Sequence, residues 1–206
     1  MFNRFLDHFV SDHETERASD GDLGFQHLDL AVPELFARFS GTSFNNGLYR
    51  VFRPCDVQDW NATVEAAFPA FKGKLTCFGV DWLGRIFALD SGRQVSRRFG
   101  VTIFEPGSGQ ALMVPCDIEM FHDIELVDRG DAALAETFFD QWIQVGGGGP
   151  SYCQCVGYKR PLFLGGADTV ENLELTDLDV YWTISAQLIS KLRGVTPGTS
   201  VKIKAS

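Results

Sequence analysis

The stretch "LTCFGVDWLGRIFALDSGRQVSRRFGVTIFEPGSGQALMVP", residues 75–115, decides the fold. Its apolar runs "LTCFGV", "RIFALD" and "FGVTIF" are short and rich in aromatic and β-branched residues. Each stops at a cluster of turn formers: "DWLG", "SGRQ" and "EPGSGQ". Runs of this length punctuated by glycine predict strands joined by tight turns. Short connections join antiparallel neighbours, so the segment predicts an antiparallel meander continued by "ALMVP".

On either side of the meander the apolar period lengthens. Phe2, Phe5, Leu6, Phe9 and Val10 fall at i, i+3, i+4, i+7 and i+8, the stripe of a helix pressed onto a core. "SDHETERASDGD" reads as a solvated loop. "PELFARF" reads as a short helix, with Pro33 in its first turn and Gly41 helping to end it. "GLYRVF" follows as a strand, and Asp56 or Asp59 could cap a helix through Trp60, Val64 and Ala67 toward Pro69. Beyond the meander, "DIEMFHDIELV" and "DAALAETFFDQWIQV" are helical in pattern, the second with Leu134, Phe138, Trp142 and Val145 on one face. "GGGGPS", residues 146–151, reads as a flexible connection.

The last third carries the clearest signals. Thr176 and Asp179 have the spacing of a capping box, ahead of a stripe of Leu178, Tyr181, Trp182, Leu188, Ile189 and Leu192 that ends at Gly194 in the C′ position. "TSVKIKA" alternates like a closing edge strand, with Lys202 and Lys204 on one side. These elements predict an α+β fold: a mixed, largely antiparallel sheet with packed helices, in two closely associated subdomains at residues 1–115 and 116–206.

Composition narrows the function. Five cysteines make an odd count without the spacing of a secreted domain, and the N-terminal segment lacks a clean apolar core. No window approaches 18 uninterrupted apolar residues. The expectation is a cytoplasmic protein with free thiols and no membrane partner.

A search for chemistry returns little. His8, His13, His27 and His122 are each isolated in sequence, and His122, between Glu119 and Asp123, is expected to have its charged form favoured. "CQC" is not the C-x-x-C of redox or zinc sites. On a strand Cys153 and Cys155 would point the same way, which suits packing. "VGGGGPS" lacks the G-K-[ST] ending of a phosphate loop, and "SDGDLG" has too few correctly spaced oxygens for calcium. No catalytic residue, metal or cofactor is expected. The alternative is a small-molecule-binding or enzymatic domain with a ligand loop at residues 146–149.

Charge is the informative feature. Lys plus Arg is 18 against 27 Asp plus Glu, for a net charge of −9 and a pI of about 4.8. Such a balance argues against direct nucleic-acid binding. Between positions 117 and 179 there are 13 carboxylates and only Arg129, Lys159 and Arg160, so this span carries more negative charge than the whole chain. A segregated field of one sign speeds capture of a basic partner. The candidate contacts are Asp117, Glu119, Asp123, Glu125, Asp128, Glu171, Glu174, Asp177 and Asp179, with Tyr181 and Trp182 half-buried beside them. Asp177 and Asp179 also fit a plainer role, complementing a helix N-terminus.

The segments "GYKRPLFLGG" (157–166) and "ENLELTDLDVYW" (171–182), with Gly198 and Thr199, resemble the Tdi-type C-terminal domain of type VI secretion immunity proteins that protect bacteria from DNase effectors. "DWLGRIFALD" (81–90) and "FEPGSGQ" (104–110) are similar to the GAD-like domain that accompanies it. The resemblance implies a cytosolic antitoxin that binds a nuclease and occludes its active site or DNA groove. It also gives the carboxylates a use, as surrogates for the phosphates a DNA-cutting enzyme must hold.

Overall fold

In the computed structural model, which describes residues 1–12 and 31–192, the expected meander forms the centre of a six-stranded antiparallel sheet. Its strands lie in sequence order: β1 (Ser43–Phe44), β2 (Tyr49–Val51), β3 (Leu75–Asp81), β4 (Ile86–Val95), β5 (Arg98–Glu105) and β6 (Gln110–Met113). Phe87, Leu89, Val101 and Ile103 enter the core on one face; Ile86, Ala88 and Phe104 enter it on the other. Burial on both faces explains why these strands read as nearly continuous apolar runs rather than as a polar–apolar alternation.

Helices cover each face. The first carries α1 (Asn3–His8), α2 (Ala31–Phe39) and, from the C-terminal half, α4 (Ile118–Met120), α5 (Leu126–Asp128), α6 (Gly130–Leu134) and α7 (Glu136–Gln144); a π-helical turn, Phe121–Glu125, joins α4 to α5. The second face carries α3 (Val57–Ala67) and α8 (Leu178–Leu192). A separate antiparallel ribbon, β7 (Gln154–Tyr158) with β8 (Leu173–Asp177), sends Val156 and Leu173 into the first core and Cys155 into the second. The Val156 amide donates to the Trp82 carbonyl at 2.7 Å and ties the ribbon to the β3–β4 turn. The α+β class and antiparallel sheet with packed helices agree with the sequence reading.

Several local expectations need correction. The α1 stripe is narrower than its spacing implies: Phe2, Phe5 and Phe9 are buried, while Leu6 and Val10 are exposed. "SGRQ" is not a turn. The chain stays in β4 through a register shift between Asp90 and Gln94, and the hairpin closes at Ser96 and Arg97, both at positive φ (51° and 71°). The second C-terminal helical pattern divides at Ala135 (φ 53°) into α6 and α7, which leaves Val145 exposed. Asp56 stands at the N-cap of α3, but its carboxylate accepts from the Tyr152 hydroxyl at 2.7 Å instead of capping.

The glycine run is packed at two of its four positions. A Cβ on Gly147 would lie 2.1 Å from the Trp142 ring, and one on Gly149 would lie 2.2 Å from the Asn46 carbonyl oxygen. Trp142 Nε1 donates to Gly148 O at 3.0 Å. Close backbone approach, which only glycine permits, accounts for Gly147 and Gly149, and a positive φ of 92° for Gly146. Next to it, Arg50 is fully buried and donates to the carbonyls of Asp81, Ser151 and Gln154. Burial pushes its guanidinium down to about 10, so it stays charged at neutral pH. This side chain pins β2 to the segment that leads into β7. His13, His27, "SDGDLG", Gly194, Gly198, Thr199 and the "TSVKIKA" strand with Lys202 and Lys204 lie outside the described residues.

Candidate functional site

The acidic span divides into an inward and an outward half. In the first half the carboxylates are engaged by the protein itself. Asp117 is buried and caps α4, accepting from the Glu119 and Met120 amides. Glu119 pairs with Arg98 at 2.9 Å, and Glu125 pairs with Arg129 at 2.9 Å. Asp123 accepts from the Phe5 amide at 3.1 Å, and Asp128 pairs with Arg4 at 2.6 Å, which holds its carboxyl below the usual carboxylate range. Arg4 and Arg98 come from outside the acidic span. Part of the charge surplus counted along the chain is therefore neutralised in space, at the seat of α1 and β5.

The second half faces outward. Glu171 lies just before β8, Glu174 and Asp177 lie on it, and Asp179 lies in the first turn of α8; all four are exposed. Their side chains form no ion pair with a cation among the described residues. Asp177 Oδ1 accepts from the Val180 amide at 3.1 Å, so the cap of α8 is Asp177 and not the Thr176 of the expected box. The strand runs one residue further than the box allows, placing Thr176 in the ladder opposite Cys155. On the outer side of α8, Val180 and Ile184 stand one turn apart and are 50% and 53% exposed. They fall between the positions of the buried stripe, so the helical period itself turns them outward.

Tyr181 and Trp182 occupy the core and offer no surface. Trp182 Nε1 donates to Gly84 O at 2.7 Å, and the Tyr181 hydroxyl accepts from the Tyr158 amide at 3.2 Å. Two aromatic residues with satisfied polar tips pack α8 against the sheet, which is why they alternate with the exposed acids. His122 also reverses its expectation. It is fully buried among aromatic rings, and desolvation drives its pKa down to about 4, outweighing Asp123. Of the "CQC" pair, Cys155 is buried against Gly84 while Cys153 precedes the strand and is exposed. Burial pushes the Cys155 thiol up to about 12, so it is an inert core group.

Among the described residues no cluster of His, Cys, Asp and Glu is arranged to hold a metal ion, and no helix is long and apolar enough to cross a membrane. Residues 121–189 match the family model described as T6SS immunity protein Tdi1, C-terminal. This segment is therefore similar to the C-terminal domain of a T6SS immunity protein. The Tdi1-type domain begins at the π-helical turn and runs into α8, so it contains all four outward acids as well as Val180 and Ile184. No curated protein matches the chain. The fold is similar to the crystal structure of Atu4351 from Agrobacterium tumefaciens, with a TM-score of 0.67 and 18% identity over 91% of this chain and 89% of that one. At that identity the likeness concerns the fold.

Proposed function

We propose that this chain is an immunity protein that binds a cognate type VI secretion nuclease in the cytoplasm and neutralises it by covering its active site or DNA-binding face, without chemistry of its own. The observation that carries the reading is the outward acidic edge of the Tdi1-type domain: Glu171, Glu174, Asp177 and Asp179 on β8 and the start of α8. An enzyme that cuts DNA presents Lys and Arg to the phosphate backbone. Fixed carboxylates on a rigid strand and helix end can occupy those positions in place of phosphates. Val180 and Ile184, half-exposed beside Asp179, add apolar area that a charged rim alone lacks.

The test is the affinity of the purified chain for the toxin encoded beside its gene, compared with that of a Glu174→Lys/Asp179→Lys variant at low and high salt. Tight one-to-one binding is expected for the natural chain, with an on-rate that falls as salt rises. The variant should bind at least tenfold more weakly, about 1.4 kcal/mol. Equal affinities would remove the acidic edge from the interface.

A further inference from the structure

The loop joining β7 to β8, which includes "KRPLFLGGADTV", forms one wall of a cleft of about 640 Å³; the β5–β6 turn and the start of α7 form the others. Four carboxylates line it, Glu105, Asp131, Asp168 and Glu171, against one cation, Arg85. That cation is already committed. Its Nε donates to Asp81 at 2.5 Å, one terminal nitrogen to Glu105 at 3.3 Å, and the other to the Ala133 carbonyl at 3.0 Å. The cleft is therefore negative in sum.

Each carboxylate is oriented by a neutral donor. Ser108 donates to Glu105 at 2.7 Å, the Thr137 amide to Asp131 at 2.9 Å, and the Tyr158 hydroxyl to Asp168 at 2.6 Å; the Thr169 side chain donates to Glu171. Such bonds hold Asp131 and Glu171 below the usual carboxylate range while leaving free lone pairs. Between the acids the lining is apolar, with Leu83, Phe138, Leu162 and Val170.

The walls are also preformed. The Leu162 amide donates to Gly107 O at 2.9 Å, and the Tyr158 ring lies where a Cβ on Gly107 would be 2.5 Å away. The Asn172 side chain bridges the loop internally, donating to the carbonyls of Arg160 and Ala167 and accepting from the Arg160 amide. A site ordered in advance loses little freedom on binding. Its chemistry suits a cation on an apolar stem: the stem lies along Phe138 and Leu162, and the head meets several carboxylates at once.

We propose that this cleft is a socket for a guanidinium or alkylammonium group. The group is either a side chain of the bound toxin, an assignment that rests on the immunity reading, or a free small cation. The test is an NMR titration of the full chain with Nα-acetyl-L-argininamide, whose single charge is the guanidinium, and with Nα-acetyl-L-citrullinamide as its uncharged isostere (argininamide and citrullinamide below). Argininamide should shift the amides of Gln141, Leu162 and Thr169 at millimolar concentration, and citrullinamide should not. Gln141→Lys, which places a cation at the exposed rim, and Asp168→Asn/Glu171→Gln should each weaken argininamide binding at least threefold.

Diffuse shifts, equal shifts with citrullinamide, or unaltered binding to both variants would overturn the proposal. If Asp168→Asn alone, which leaves Glu171 of the acidic edge in place, weakens argininamide binding and also binds the toxin tenfold more weakly, the socket holds a toxin side chain. If it loses argininamide but keeps the toxin, the socket serves a free cation. A toxin that ignores the natural chain would contradict the immunity reading, while the argininamide titration would still decide the socket.

Discussion

His122 is a base held neutral by its surroundings. Its Nδ1 lies 2.7 Å from the Ile118 carbonyl, which can only accept, so this nitrogen carries the proton and Nε2 accepts from the Tyr49 hydroxyl at 2.9 Å. Phe2, Phe5, Phe78 and Phe121 surround the ring. Burial depresses the folded pKa from 6.5 to about 4. Below pH 6.5 the unfolded chain takes up a proton that the native protein refuses. Stability is therefore full above pH 6.5 and falls as pH drops toward 4, by about 3 kcal/mol from this group. Carboxylates held low by their partners, such as Asp128, titrate beneath that window. In urea denaturation across pH 4 to 7, His122→Gln should flatten the slope; an unchanged slope would refute the assignment. Gly149 gives a second check. Because an added Cβ meets the Asn46 backbone, Gly149→Ala should cost about 2 kcal/mol. A freely moving linker would show no loss.

The cap of α8 tests the reading of an element boundary. Asp177→Ala should destabilise the protein by about 1 kcal/mol, the usual loss for an N-cap. Thr176→Ala, inside the β8 ladder, should cost about 0.5 kcal/mol or less. The reverse order in a denaturant midpoint would restore the capping box. Elements with a regular apolar pattern were legible: the meander, buried on both faces, by its apolar runs, and α3 and α8, each buried along one side, by their helical stripes. Boundaries set by long-range contacts were not. No local rule reports that Asp56 turns from its cap to Tyr152, or that Ser96 and Arg97 adopt positive φ without a glycine. At the candidate site, the exposure of the acids from 171 to 179 was legible in charge and position. Asp117 to Asp128 misled because their partners, Arg4, Arg98 and the Phe5 amide, are distant in sequence. Tyr181 and Trp182 misled because interface anchors and core residues share a composition.

At the scale of the molecule, one central sheet is covered on both faces, and both cores draw residues from either side of position 115. The Tdi1-type segment supplies helices to each face, and its acidic edge is held on a strand and a helix end rather than on a tail. A surface fixed in this way keeps its charges in register before contact, which favours fast capture and slow release of a basic partner. The most direct measurement is a titration of DNA cleavage by the nuclease proposed as the chain's partner against increasing amounts of the purified chain. Cleavage should fall linearly and vanish at one equivalent. A toxin that still cuts DNA at full rate in the presence of excess chain would contradict the immunity function.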